Sequence, residues 1–381
     1  MHYETKILHE GGDKDPYTGA LSIPIYPAST YHQKNVDVRQ EFDYSRSGNP
    51  TRAALERTLA VLENGSHGYA FSSGVAAITA AITAVCSAGD HIVATRDCYG
   101  GTYRLLTKYL SRLGITHTFV DTTDIAATEH AITSATKVLF LESPSNPLLR
   151  IIDFTAMTAL AKKHSLITML DNTFLSPYLF RPLDIGVDVS IHSATKFLGG
   201  HSDLIAGAVV TKNGEIAAQI YAVQNGTGNM LSPENSWLLL RGIKTLRARM
   251  EMQCAGAMEL ATWLSKQSWV TKVYYPGLAD HPGHETIRRE AKGFGAVVSF
   301  TADTIERTRA ILQHVRIWTV AVSLGGVESI LSYPAKMSHA AMPKDERDAL
   351  GISDTLIRLS IGLEHTEDLI DDLKSSAEIK S

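Results

Sequence analysis

Lys196 stands in Val187-Asp-Val-Ser-Ile-His-Ser-Ala-Thr-Lys196-Phe-Leu-Gly-Gly-His201, where an alternating apolar run gives way to two hydroxyls, a lysine and paired glycines. The alternation predicts a strand, with Ser193, Thr195 and Lys196 in the turn that follows it. Most lysines are solvated surface charges. One held in a partly buried turn can lose its proton and attack a carbonyl carbon, while Ser193 and Thr195 could bind a phosphate. An aldehyde and a phosphate on one small ring, as in pyridoxal phosphate, would use all three. Asp171 closes another apolar run, Ile167-Thr-Met-Leu-Asp171, 25 residues before Lys196. A buried carboxylate at a strand end could keep a pyridine nitrogen protonated and make the ring an electron sink. It could equally cap the next turn. The spacing allows a crossover that brings both strand ends to one rim.

The elements that must position these residues follow from the hydrophobic pattern. Asn49-Pro50-Thr51 starts a helix with an apolar face at Leu55, Leu59 and Leu62, ended by Gly65. Gly68 to Gly74 reads as a short strand opening a helix from Val75 to Ala88. A glycine at a helix start lets backbone N–H groups approach a phosphate, and the dipole favours its charge; Ser73 could also cap that helix. Strand patterns at 91–95, 116–121, 137–142 and 166–170 alternate with helical patterns at 102–113 and 154–164. Such alternation predicts a largely parallel sheet covered on both faces, with ligands at the carboxyl ends of its strands. A long helical pattern from Asn235 to Trp263 follows, then strands at 294–300, 317–323 and 356–361. Residues 1–50 have little periodicity and many turn residues, including Gly11, Gly12, Asp13, Pro16, Gly19, Pro24 and Pro27. Such a segment cannot build its own core and should lie as an extended arm on something else. Arg358, in the strand pattern Leu356-Ile-Arg-Leu-Ser-Ile361, would face inward and need a counter-anion, from the chain or from a bound acid.

Several motifs stand in one order: Ser72-Ser-Gly74, Tyr99-Gly-Gly101-Thr-Tyr103, Glu142-Ser-Pro-Ser-Asn146-Pro, Asp171-Asn-Thr-Phe, His192-Ser-Ala-Thr-Lys196-Phe-Leu-Gly-Gly-His-Ser-Asp203 and Ser323-Leu-Gly-Gly-Val-Glu-Ser. In these motifs the chain resembles the cystathionine lyases and synthases of cysteine and methionine metabolism, from Thr5 to about Leu373. The resemblance implies an α/β PLP-dependent transferase fold, aspartate aminotransferase-like and type I, with a mostly parallel sheet and a smaller C-terminal α/β domain. It implies an arm over residues 1–50 that contacts the neighbouring subunit, a large cofactor-binding domain at 51–234 and a C-terminal domain at 235–381. It further implies pyridoxal 5′-phosphate as cofactor, a sulfur amino acid as substrate, and a homo-oligomer, a tetramer built as a dimer of dimers with shared active sites. Lys196 would anchor the cofactor and carry protons, with Tyr99 stacked on the ring and able to help. Ser73, Gly74, Val75, Ser193 and Thr195 would hold the phosphate, and Tyr44 and Arg46 would hold that of the partner's cofactor. Asn146 would meet the 3′ oxygen and Asp171 the ring nitrogen. Arg358 would clamp the substrate α-carboxylate, helped by Ser323 and Leu324, with Val322 beside them.

The resemblance also bears on the reaction. Members that act at the γ carbon usually carry glutamate before the serine of the Ser-Leu-Gly motif; here that residue is Val322, which favours β-elimination from L-cystathionine. Methionine γ-lyases carry cysteine two residues after the stacking tyrosine, where this chain has Gly101. A cystathionine γ-lyase or γ-synthase is the nearest rival. A distant rival is an acyl hydrolase, since Ser193-Ala-Thr-Lys196 fits Ser-x-x-Lys, but the companion Ser-Asp-Asn and Lys-Thr-Gly motifs are absent.

Composition narrows the classes. The 381 residues are 44% apolar and 20% charged with net charge −4, ordinary for a globular chain of more than one domain. Nothing predicts a nucleic-acid or membrane partner. No secretory pattern opens the chain, so the expected location is cytoplasmic. Cys86, Cys98 and Cys254 are too few and too scattered for a disulfide framework or a zinc site, and no metal is expected.

Overall fold

Short runs of Val, Ile, Leu and Ala between turns supply the strands of the computed structural model, which describes residues 1–9, 14, 15, 17–38, 40–340 and 342–378. The first sheet has seven strands: β1 (His67–Phe71), β2 (His91–Thr95), β3 (Thr116–Val120), β4 (Thr136–Glu142), β5 (Ile167–Asp171), β6 (Val189–His192) and β7 (Gly207–Thr211). Their order is β1-β7-β6-β5-β4-β2-β3, and only β7 runs against its neighbours. Along β4, Leu139 and Leu141 enter one hydrophobic core, Val138 and Phe140 the other. That two-sided burial is what a parallel sheet clad by helices requires. The carboxyl ends of β4, β5 and β6 therefore share one rim.

The helix Pro50–Leu62 is capped by Asn49, whose side chain accepts from the Thr51 and Arg52 amides. The helix expected from Val75 to Ala88 runs Gly74–Val85, capped by Ser73. The helical pattern at 102–113 resolves into an α-helix Gly100–Arg104, a π turn Leu105–Tyr109 and a 3₁₀ turn Leu110–Leu113. The wider turn brings Leu105, Leu106 and Leu110 all into the core, which the pattern alone could not distinguish from a regular helix. Several elements were not anticipated, among them β7 and the helices Ile125–His130 and Gly214–Thr227. At the N-terminus Tyr3–His9 is helical and buries Ile7 against the first core, an anchor too short to show a period. Gly11, Gly12, Asp13 and Pro16 lie outside the described residues. Residues 17–38 and 40–49 contain no regular helix or strand and leave Tyr17, Leu21, Val36 and Val38 exposed.

The single helix expected over Asn235–Trp263 is two, Pro233–Ile243 and Leu246–Leu264. At the break, Gly242 lies so close to the Gly199 carbonyl that a Cβ there would overlap it. The bend thus seats the first helix on the loop after Lys196. A second sheet follows, with β8 (Val270–Tyr274), β9 (Val297–Ala302), β10 (Thr319–Val320), β11 (Ile330–Ser332) and β12 (Leu356–Ser360) in the order β10-β11-β12-β9-β8. It is antiparallel except for β10 and β11, and has its own core around Phe300, Leu331 and Leu359. The strand expected at 317–323 is only two residues long, because the chain leaves the sheet to line the cavity described next. β8 and β11 were not anticipated. Among the described residues no helix is long and apolar enough to cross a membrane.

Candidate active site

A cavity of about 1110 Å³ opens above the carboxyl ends of β4, β5 and β6 and reaches β10–β12 of the second sheet. Thirteen residues expected at a site line it: Ser73, Gly74, Val75, Tyr99, Asn146, Asp171, Ser193, Thr195, Lys196, Val322, Ser323, Leu324 and Arg358. Tyr44 and Arg46 do not. The Arg46 Nη1 donates to the Asn225 carbonyl at 2.8 Å, and the guanidinium lies 5.5 Å from the Tyr44 ring centre.

Lys196 sits four residues past β6. Its Nζ donates to Ser323 Oγ at 2.6 Å. Burial, and secondarily the Arg358 cation, pull its pKa down to about 8. The loop that carries it is held from below. Gly200 N donates to the Lys196 carbonyl at 2.8 Å, and the buried Arg249 donates to the Phe197 carbonyl at 2.6 Å. Gly200 has φ 72°, and a side chain there would overlap the Arg249 guanidinium. Ser323, the partner of Lys196, has φ 92°, unusual for a residue with a Cβ and costing roughly 1–3 kcal/mol. The Arg358 Nη2 donates to the Ser323 carbonyl at 2.6 Å and Gly325 N donates to Ser360 Oγ at 2.8 Å, holding that conformation in place.

Arg358 is buried and donates to Asn146 Oδ1 at 2.8 Å and Ser332 Oγ at 3.1 Å, while its Nε has no partner. No carboxylate among the described residues pairs with it. Burial lowers its pKa to about 10, the cost of holding a cation out of water without a carboxylate beside it. Of the two counter-anions left open by the sequence, the described residues of the chain supply none.

Asp171 ends β5. Thr173 donates to its Oδ1 twice, from N at 3.1 Å and from Oγ1 at 2.5 Å, leaving Oδ2 for the cavity. In register with it, at the end of β4, stands Glu142. Burial raises the pKa of both carboxyls, and the neighbouring Asp171 charge raises Glu142 further. Two desolvated acids side by side favour a cation between them and the cavity. Glu142 Oε2 also accepts from the Tyr99 amide at 2.8 Å and so fixes the base of that ring. A Cβ at Gly101 would overlap the Tyr99 ring, so the ring's position depends on glycine there.

The opposite end of the cavity suits an anion. Ser73 Oγ accepts from Ala76 N at 3.1 Å, and the first helical residues, Gly74 and Val75, line the cavity. A Cβ at Gly74 would stand 2.8 Å from the Ser193 Cβ, so only glycine lets the helix start lie against Ser193. Thr195 Oγ1 donates to the Ala206 carbonyl at 3.1 Å and accepts from its amide at 3.0 Å. A lysine of lowered pKa, a carboxylate facing a ring position, an exposed aromatic face and a helix start with hydroxyls together fit pyridoxal phosphate. Sequence reasoning missed Glu142 as a member of this cluster, since its pairing with Asp171 exists only in the strand register. It also missed Arg104, an exposed residue that follows the Tyr99–Tyr103 motif, and Glu328, which lies within the Ser323-Leu-Gly-Gly-Val-Glu-Ser motif but was given no role there; both line the cavity.

Over residues 4–378 the chain matches the family described as Cys/Met metabolism PLP-dependent enzyme. It is 51% identical over 373 residues to the cystathionine beta-lyase MetC of Bacillus subtilis (strain 168), covering 98% of this chain and 95% of that protein. It is 48% identical over 378 residues to the cystathionine gamma-lyase of the same organism, covering 99% and 100%. Among solved structures, the cystathionine gamma-lyase from Lactobacillus plantarum complexed with L-serine superposes with a TM-score of 0.97 at 47% identity, covering 99% of this chain and 98% of that one. Lyases of both regiochemistries thus lie at nearly equal distance, and the choice between them rests on individual residues.

Proposed function

Because this chain belongs to the Cys/Met metabolism PLP-dependent enzyme family, we propose that it breaks the β carbon–sulfur bond of L-cystathionine, releasing homocysteine, pyruvate and ammonia, as a step of methionine biosynthesis. Bound pyridoxal phosphate supplies an electron sink for charge developing next to the substrate amine. Asp171 keeps the ring-nitrogen proton in place. Arg358 and the Ser323 segment hold the α-carboxylate and orient the bond to be broken. Lys196 Nζ, with a pKa pulled down to about 8, takes the α-proton. Lys196 or the Tyr99 hydroxyl then protonates the departing thiolate. Arg104 is the exposed cation of the cavity and suits the far carboxylate of the substrate.

The observation that carries the β assignment is Val322. It is 64% exposed on the cavity wall beside Ser323, where it can neither relay a second proton nor meet an ammonium. Chemistry at the γ carbon needs that second proton removal, at Cβ. Purified enzyme given L-cystathionine should yield pyruvate and homocysteine. 2-Oxobutyrate and cysteine, or cystathionine formed from cysteine and an acylated homoserine, would sink the β assignment. Val322→Glu should raise the ratio of 2-oxobutyrate to pyruvate, by roughly tenfold. The acyl-hydrolase alternative gains no support, since Lys196 donates to Ser323 rather than to Ser193.

The enzyme further reads as a cytoplasmic homotetramer, a dimer of dimers with shared sites. Three observations support sharing. Tyr44 and Arg46 lie off their own cavity. No cation of the described cavity lining belongs to the Ser73–Val75 or Ser193–Thr195 segments. Apolar Tyr17, Leu21, Val36 and Val38 are left uncovered on the arm. The free thiols of Cys86, Cys98 and Cys254 suit a reducing compartment. Sharing has a direct test in mixed oligomers. Arg46→Ala and Lys196→Ala chains, each inactive alone, should recover about a quarter of wild-type activity when co-expressed in equal amounts, because about half the pairs are mixed and one of the two sites in each mixed pair carries neither defect. Absence of recovery would mean each chain builds its own site.

A further inference from the structure

We propose that Glu328 receives the distal ammonium of the substrate and thereby selects thioethers that carry a second amino acid over simple S-alkylcysteines. This rests on the carbon–sulfur lyase reading above. Among the described residues, six charged ones line the cavity: Arg104, Glu142, Asp171, Lys196, Glu328 and Arg358. The substrate's reacting amine would be taken up by the cofactor, so a diamino substrate would bring one further cation to be matched. Glu142 and Asp171 cannot match it. Both are buried at the strand ends under the ring position, and Glu142 is tied to the Tyr99 amide. Glu328 is the remaining carboxylate of the described lining, and it is exposed.

Its placement is fixed although its tip is open. Gln253 Nε2 donates to the Gly326 carbonyl at 2.7 Å, and Leu363 N donates to the Val327 carbonyl at 2.8 Å. On the other side, Ser329 donates to Glu364 from both N and Oγ, at 2.7 Å each. The backbone of Glu328 is therefore pinned before and after it, which reduces the ordering that binding must supply. Ser202 Oγ donates to Oε2 at 3.3 Å and orients the carboxylate, leaving Oε1 free. No lysine or arginine among the described residues forms an ion pair with it. An oriented carboxylate lacking a cation, in the wall of a site for zwitterionic substrates, is a ready acceptor for an ammonium.

The test compares L-cystathionine with desamino-cystathionine, which lacks only the amine of its homocysteine half, in the wild-type holoenzyme and in Glu328→Gln. The variant keeps the shape of an exposed side chain. The wild type should prefer cystathionine, and in Glu328→Gln the ratio of kcat/KM values should fall roughly tenfold, chiefly through KM for cystathionine. A ratio equal to that of the wild type overturns the proposal, and so does a parallel loss on both substrates, which would mark Glu328 as structural. The keto acid judges the underlying reading separately. If wild type releases 2-oxobutyrate from cystathionine, the β assignment falls, and the ratio measured against the analogue lacking the cysteine-half amine then judges Glu328 alone.

Discussion

Replacing Lys196 by alanine should lower kcat/KM for carbon–sulfur cleavage by roughly 10⁴-fold or more. The expectation is large because one amine would do the two tasks proposed for it. Among the described residues it is the only lysine lining the cavity, and an amine there can both attack an aldehyde and accept a proton. Its 2.6 Å bond to Ser323 Oγ keeps it at hand without pairing it to a carboxylate. A carboxylate partner would raise its pKa, whereas burial and Arg358 lower it to about 8. Two readouts separate this from a general loss of structure. Borohydride should fix the cofactor's mass to the wild-type chain and not to the variant. Below pH 8, the rate at which apo-protein takes up the aldehyde should fall about tenfold per pH unit, following the free-amine fraction. Lys196→Arg should be as inactive as the alanine variant, because it restores a cation and not a base. A Lys196→Ala enzyme with more than about a hundredth of wild-type activity would refute the assignment.

The second large effect belongs to Asp171. Asp171→Asn should reduce kcat roughly 10³-fold, with little harm to the fold. The amide oxygen can still accept both bonds from Thr173, so the local structure is kept. What would be lost is the charge proposed to hold the ring-nitrogen proton. The apo-protein should respond in the opposite sense. Burial raises the Asp171 pKa, so the folded chain binds this proton more tightly than the unfolded chain does. Stability from this group is therefore full at pH below the ordinary carboxylate range and declines as pH rises from there. Asp171→Asn should flatten that decline and leave the Tm of apo-protein at neutral pH no lower than that of wild type. A variant that unfolds earlier, or one that keeps activity within about tenfold, would contradict this account. Such a pairing of lost function with retained stability is the mark of a residue held in an unfavourable environment for its chemistry.

Both predictions concern residues that could be read from the chain before any fold was known. Lys196 and Asp171 close local patterns, an apolar run followed by a turn, and local patterns survive in sequence because strand and turn preferences are short-range. For the same reason the capping of the helix at Asn49 and Pro50 and the strands at 91–95 and 116–120 were legible. The failures have the opposite character. The break between Ile243 and Leu246 depends on the Gly199 carbonyl, which is remote in the chain. The two-residue β10 is cut short by where the cavity lies, and its continuation at Ser323 takes a φ that no propensity favours.

What the amino-acid sequence determined by itself was the set of reacting groups, the alternating α/β order and the family resemblance, because each is written in contiguous residues. Tertiary structure decided which groups share an environment. The adjacency of Glu142 and Asp171, the lack among the described residues of a carboxylate beside Arg358 and the position of Glu328 arise from strand register and from the meeting of two sheets, and the placing of Tyr44 and Arg46 off their own cavity from the course of the arm. Charges interact through space and burial rather than along the chain, so their partners and their pKa values come into being only when distant segments pack.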